Sequence, residues 1–232
     1  MNFIKLLNFD FIKFLPFQKR PFRAKFIPSQ VWDELDAFEN NIPGLAWYCK
    51  KWRTDIELEV RDVVNVGGCY DPEVNRSTLY IYSPEFPEVC FEPDGMLWDE
   101  FKYAFIQTIM HEFIHMMQFN NRFGEHLNTV YRYNKHDDEF INEEREYYSD
   151  MDEVRAYAHC IYLDFKSFSD KDVLQLIKGS RGGHNYTYTS ILNIFDHNFD
   201  NAALKYLVKE IIRIDNRYNQ IIGKTHDSVS SL

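Results

Sequence analysis

"EFKYAFIQTIMHEFIHMMQFNNRFG", residues 100–124, is apolar on nearly every helical face, which predicts one long helix buried in a core. Asp99 precedes the stretch as a candidate N-terminal cap, and Gly124 stands where helices commonly end. A narrow polar stripe interrupts the apolar surface. Polar groups buried in a core need partners, so this stripe is the first candidate for function. The stripe consists of Thr108, His111, Glu112, His115 and Gln118.

The two histidines of the stripe have the spacing of a metal site. His111 and His115 are four residues apart, so on a helix both imidazoles can reach one zinc ion at about 2.0 to 2.1 Å. Glu112 lies about 100° round the helix from His111, where it can contact a water on the metal. Zinc lowers the pKa of such a water to about 7, and Glu112 can then transfer its proton. The alternative is a pair of core histidines hydrogen-bonded to backbone or carboxylate groups.

A catalytic zinc needs a third protein ligand and an open fourth position. Glu153 is the best candidate, because it lies in the first turns of a second predicted helix, "YYSDMDEVRAYAHCIYLDF", residues 147–165. Ser149 and Asp152 have capping-box spacing at its start. The small residues Ala156 and Cys160 would permit close packing against the first helix. Three other residues remain open as alternative ligands or as ordinary structural groups, namely Asp150, Glu146 and Cys69.

"HEFIH" followed by "ExxAYA" resembles the gluzincin branch of the zincin metallopeptidases, particularly compact members from bacteria and phages. The resemblance covers about residues 54–166. It implies a peptidase in which His111, His115 and Glu153 bind Zn²⁺ and Glu112 is the general base. The chain lacks the extended HExxHxxGxxH pattern, which disfavours a metzincin-type third histidine. One departure from the gluzincin pattern is Tyr157, which occupies the place where many gluzincins have an aspartate that orients a histidine.

Peptide hydrolysis of this type also needs a hydrogen-bond donor for the oxyanion, usually Tyr, His or Arg. The loop "RGGHNYTY", residues 181–188, supplies His184 and Tyr186 as the candidates. Arg181 and Tyr188 belong to the same loop, and rivals to it are Tyr147 and Tyr148.

The rest of the chain predicts an α+β fold, with a small N-terminal antiparallel or mixed sheet followed by a mostly helical, zincin-like part. "DIELEV", residues 55–60, and "TLYIYS", residues 78–83, alternate as strands do, and "VGGCYDPEVNRS" between them is typical of a turn region. The second strand is either an edge that pairs with an extended substrate or an interior strand. Residues 125–148 predict an exposed loop. The expected organisation is an appendage over 1–28, one domain over 29–220 and a tail over 221–232.

Composition limits the partners. The net charge of -10 disfavours nucleic acid, and a peptide or protein substrate is expected. Four cysteines without a CxxC pair suit a reducing, cytoplasmic compartment, or a virion or host cytoplasm for a phage protein. Charged residues interrupt the apolar N-terminus, so no transmembrane span or signal peptide is expected. Residues 1–17 are a candidate for contact with a membrane surface. The alternative function is a catalytically inactive metallopeptidase-like domain that binds a protein partner, as a regulator or virion component.

Overall fold

A computed structural model describes the chain over residues 28–39, 41–61, 65–83, 98–122, 129–168, 173–179 and 186–229. Internal contacts divide the chain into two units, Met1–His126 and Leu127–Leu232. The first carries a small mixed sheet, and the second is helical throughout its described elements. This confirms the α+β prediction in its coarse form. The boundaries predicted at residues 28 and 220 stay predictions, and the apolar segment 1–17 lies outside the described residues.

Two short helices begin the first unit. Helix α1 spans Pro28–Leu35 and α2 spans Ile42–Cys49, and each is followed by a 3-10 turn. Pro43 lies in the first turn of α2, where its missing N–H costs no helical hydrogen bond. The side chain of Asn41 caps α2 by accepting a hydrogen bond from the backbone N–H of Gly44 at 3.0 Å.

The sheet has three strands in the order β1-β3-β2, with β1 over Thr54–Val60, β2 over Asn65–Asp71 and β3 over Arg76–Ser83. The central strand β3 is parallel to β1 and antiparallel to β2. Two expectations are corrected here. Residues 66–71 form a strand rather than part of a turn, and the turn is confined to residues 72–75. "TLYIYS" is an interior strand, so the edge-strand alternative for substrate pairing is wrong for β3.

Helix α3, Trp98–Asn121, confirms the long helix predicted from residues 100–124. It packs on β2, β3 and α1. The helix begins before Asp99, so Asp99 is not its cap but pairs with Lys102 one turn on, at 2.9 Å. Lys102 is 3% exposed and also binds Asp36 at 2.6 Å. Gly124, the predicted helix stop, lies outside the described residues. Side chains less than 2% exposed form the centre of this unit, namely Leu35, Leu45, Trp52, Leu79, Ile81, Phe101, Phe105, Ile109 and Met110.

The second unit contains five helices in its described part: α4 Glu139–Tyr147, α5 Met151–Phe168, α6 Val173–Gly179, α7 Tyr186–Ile194 and α8 Ala202–Val229. Helix α5 packs along α8, and α4 packs on α7. The predicted loop over 125–148 therefore contains a helix, which Asp138 caps by accepting from the N–H of Phe140 at 2.9 Å. The predicted Ser149 cap of α5 is also wrong. Asp150 takes that role, accepting from the N–H of Asp152 at 2.7 Å.

Two further features concern the environment of the chain. Cys49, Cys69 and Cys160 form no disulfide bond within the described residues, and Cys90 lies outside them. Among the helices described, none combines the length and apolar character that a bilayer span requires.

Candidate metal centre

The imidazoles of His111 and His115 converge on one turn of α3. Their Nε2 atoms are 3.0 Å apart, and the ring planes are 78° from each other. His111 is 8% exposed and His115 is half-buried. Two nitrogens at this separation, each about 2.05 Å from one ion, would subtend an angle of roughly 95° at it. That is somewhat narrower than tetrahedral, and a shift of a few tenths of an ångström would open it, so the pair fits a zinc ion.

Gln118 supports His115 from the other side of the ring. Its Oε1 atom lies 3.1 Å from Nδ1 of His115. An amide oxygen only accepts, so this contact requires a proton on Nδ1 and leaves the Nε2 lone pair directed at His111. Such outer contacts commonly orient metal-binding histidines. The sequence placed Gln118 on the polar stripe, but its spacing of three residues after His115 gave no indication of this role.

The carboxylate of Glu112 is buried against strand β2. Glu112 is 5% exposed, and a Cβ atom at Gly68 would lie 2.8 Å from its Cγ and Oε1 atoms and 2.7 Å from Cγ2 of Thr108. Only glycine therefore allows α3 to approach β2 this closely. Sequence reasoning assigned "GG" to a turn and missed this function of Gly68. The signal that could have found it is an isolated glycine pair inside a strand, which often marks a close approach of another element.

The second unit carries the predicted acidic ligand. Glu153 lies in the first turn of α5 and is half-buried. Its rivals are otherwise engaged. Asp150 caps α5, and burial raises the pKa of its carboxyl although the backbone N–H groups of Asp152 and Glu153 oppose this. Glu146 is exposed on α4 and accepts a hydrogen bond from the hydroxyl of Tyr133 at 3.4 Å.

Two tyrosines, Tyr147 and Tyr157, lie close to Glu153. The Tyr147 hydroxyl lies 3.3 Å from that of Tyr157 and also hydrogen-bonds to the Glu153 side chain. Desolvation, followed by the negative charge of Glu153, raises the pKa of Tyr147 well above its usual value. Tyr147 therefore stays a protonated donor at neutral pH. Tyr148 is half-buried and packs against Tyr157, with ring centroids 5.1 Å apart.

His111 and His115 belong to the first unit and Glu153 to the second, and each side chain offers one atom of a type that binds zinc. Cys69, the alternative ligand on β2, is exposed.

Most of the loop that was predicted to supply the oxyanion donor lies outside the described residues. His184 and Arg181 lie outside the described residues. Tyr186 begins helix α7, but its side chain also lies outside the description. Tyr188 is fully buried against Phe165, with ring centroids 5.6 Å apart, which suits a core residue.

Comparison of the chain with protein-family models, with curated proteins and with solved structures gives no match. The resemblance to gluzincins therefore depends on the motif residues, and the case for a metal on the geometry just described.

Proposed function

We propose that this chain is a zinc-dependent peptidase of gluzincin type, with His111, His115 and Glu153 as ligands and Glu112 as general base. The observation that supports it is the convergence of the His111 and His115 imidazoles on one turn of α3, with their Nε2 atoms 3.0 Å apart. Two imidazoles and one carboxylate are the donor set of the thermolysin-type catalytic site, where a fourth position is left for water. The hydrogen bond between His115 and Gln118 adds the outer support that such a ligand needs.

The residues of the site then divide the steps of peptide hydrolysis. Zinc held there supplies Lewis-acid activation of water and of the substrate carbonyl. Glu112 accepts the proton of the attacking water and delivers it to the leaving amine, whose C–N bond breaks. The hydroxyl of Tyr147, kept protonated by its raised pKa, donates a hydrogen bond to the oxyanion. His184 and Tyr186, the donors suggested by the sequence, stay predictions for the same task.

The metal assignment is tested by zinc content. Elemental mass spectrometry of the purified wild-type protein should find about one zinc per chain, and a strong chelator should remove it. Glu153→Gln should weaken zinc binding at least tenfold in competition with a chromophoric chelator. Glu146→Gln is the matched control, because Glu146 is an exposed carboxylate outside the ligand group. Equal zinc affinity of the two variants would contradict the role of Glu153.

The peptidase assignment is tested by turnover. Wild-type protein incubated with a diverse peptide mixture should produce new peptide ends that mass spectrometry detects, and chelation should stop this. Glu112→Gln should bind zinc normally while hydrolysis falls by at least 10³-fold, because the general base is lost without a ligand. Hydrolysis by Glu112→Gln at the wild-type rate would exclude Glu112 as the base.

A second candidate function is a catalytically inactive metallopeptidase-like domain that binds a protein partner. The burial of His111 and Glu112, which are 8% and 5% exposed, favours it, because a general base must reach water. In that case the chain holds zinc with the same three ligands but cleaves no peptide. Stoichiometric zinc, together with no hydrolysis across the peptide mixture, would support this candidate over the peptidase.

A further inference from the structure

The hydrogen bond between His115 and Gln118 also bears on which nitrogen of the His115 ring carries its proton. A neutral imidazole has one nitrogen that donates and one that accepts. His115 faces an amide oxygen at Nδ1, 3.1 Å away, and the Nε2 atom of His111 at Nε2, 3.0 Å away. The amide oxygen decides the tautomer of the ring, because it can accept a hydrogen bond but cannot donate one.

On the basis of the proposed zinc site, we infer that Gln118 is a positioning residue. It holds His115 in the Nδ1–H tautomer, which leaves the lone pair of Nε2 as the metal-binding electron pair. The ring then needs neither a proton transfer nor a rotation before it binds. In the absence of metal, the hydrogen bond between the two imidazoles takes its proton from Nε2 of His111. The opposite orientation of the amide would place its NH₂ group at Nδ1 and move the His115 proton to Nε2, where it would block the ligand position.

The location of Gln118 lets a glutamine do what the aspartate does in gluzincins that have one where this chain has Tyr157. Gln118 follows His115 by three residues on α3, so the two side chains stack along one helical face. A single helix thereby carries two proposed ligands, the proposed base and the group that orients one ligand. A neutral amide orients the ring without adding a negative charge beside Glu112 on the same helix.

The first test measures the tautomer directly. Histidine side-chain ¹⁵N shifts of the metal-free protein should show His115 protonated on Nδ1 and unprotonated on Nε2. Gln118→Met, which has a similar volume and no acceptor of that strength, should mix the two tautomers. A wild-type His115 protonated on Nε2 would overturn the inference, whether or not the protein binds zinc.

The second test measures zinc affinity by chelator competition. Gln118→Met should bind zinc about 10- to 100-fold more weakly, the usual loss when a hydrogen bond that orients a metal ligand is removed. Gln118→Glu retains an acceptor for Nδ1–H and should restore wild-type or tighter binding. Gln107→Met is the control, because Gln107 is also half-buried on α3. Unchanged affinity of Gln118→Met would overturn the role of Gln118, whereas a wild type that binds no zinc would contradict the proposed function itself.

Discussion

Gly68 on β2 lies directly against the side chain of Glu112 on α3, so closely that a Cβ atom there would stand 2.8 Å from Glu112 Oε1. Real Cβ atoms do not approach other atoms this closely, so any larger residue must displace either the carboxylate or the helix. The backbone of one strand thus fixes where the proposed base can lie. Gly67, the neighbouring residue, faces Tyr82 instead, with a Cβ position 2.9 Å from its hydroxyl oxygen.

Gly68→Ala should therefore lower kcat at least tenfold and leave zinc affinity unchanged, because it moves Glu112 but touches no ligand. Overpacking should also reduce the free energy of unfolding by about 1–3 kcal/mol. Gly67→Ala is the matched control, since it overpacks the same strand against Tyr82. Peptide hydrolysis and urea unfolding of both variants provide the measurement. Equal loss of kcat in the two would attribute the effect to the strand in general rather than to Glu112.

Arg145 should be a major source of stability in the second unit. Arg145 is 3% exposed, and its guanidinium donates to the carbonyl of Ile194 at 2.8 Å, the carbonyl of Asn134 at 2.7 Å and the carboxylate of Asp196 at 2.5 Å. Arg145→Met should lower the unfolding free energy by about 2 kcal/mol or more, because three hydrogen bonds from a charged donor are lost.

The control for Arg145 is Arg61→Met. Arg61 pairs with Glu59 at 2.8 Å on the surface, where such a pair contributes at most about 1 kcal/mol. Urea unfolding followed by circular dichroism gives both values. A loss below 1 kcal/mol for Arg145→Met would show that the three hydrogen bonds are replaced by water at little cost.

His159 should make the protein less stable in mild acid. The residue is 5% exposed on α5, and its Nδ1–H donates to the carbonyl of Arg155 at 2.8 Å. Desolvation lowers the pKa of His159 below the usual 6.5, although the hydrogen bond to the backbone carbonyl of Arg155 and the negative charge of Glu210 oppose the shift. The unfolded chain therefore binds more protons than the folded chain once the pH falls below about 6.5. The unfolding free energy should fall with pH in that range and be unaffected by His159 above it.

The measurement compares unfolding free energies at pH 7.5 and pH 5.0 for wild type, His159→Gln and His136→Gln. His159→Gln should lose less unfolding free energy between pH 7.5 and pH 5.0 than wild type, since its side chain has no proton to gain. His136 is exposed, so His136→Gln should follow wild type. An identical loss of unfolding free energy in all three proteins would mean that His159 is protonated in the folded state at no cost.

Much of α3 and part of the site could be predicted because their signals are local. The run of apolar residues over 100–124 predicts a buried helix, and the spacing of His111 and His115 places both on one face. These two inferences need only helical periodicity and residue type, so they require no knowledge of tertiary packing. That Glu153 binds the same metal stays a prediction, because it depends on how two helices pack.

The features that were missed depend on neighbours distant in sequence or on a choice between adjacent residues. The pair Gly67 and Gly68 predicted a turn. Nothing in the local sequence shows that a side chain at Gly68 would collide with α3, or one at Gly67 with Tyr82. Ser149 and Asp150 are both good caps, and only the backbone path shows that Asp150 is used. Helix α4 has few apolar residues. Its stability depends on the contacts of Arg145 and on packing against α7, which the sequence of residues 139–147 does not reveal.

Tyr147 offers the last prediction, because its hydroxyl contacts both Tyr157 and Glu153. If it stabilises the oxyanion, Tyr147→Phe should lower kcat by about 10²-fold while zinc affinity stays within about threefold of wild type. Because desolvation and the Glu153 charge raise its pKa, ionisation of Tyr147 should cause no loss of wild-type kcat up to pH 9. Tyr157→Phe is the matched control, since it removes the neighbouring hydroxyl. A tenfold fall in zinc affinity with normal kcat for the zinc-loaded Tyr147→Phe protein would instead show that Tyr147 orients Glu153.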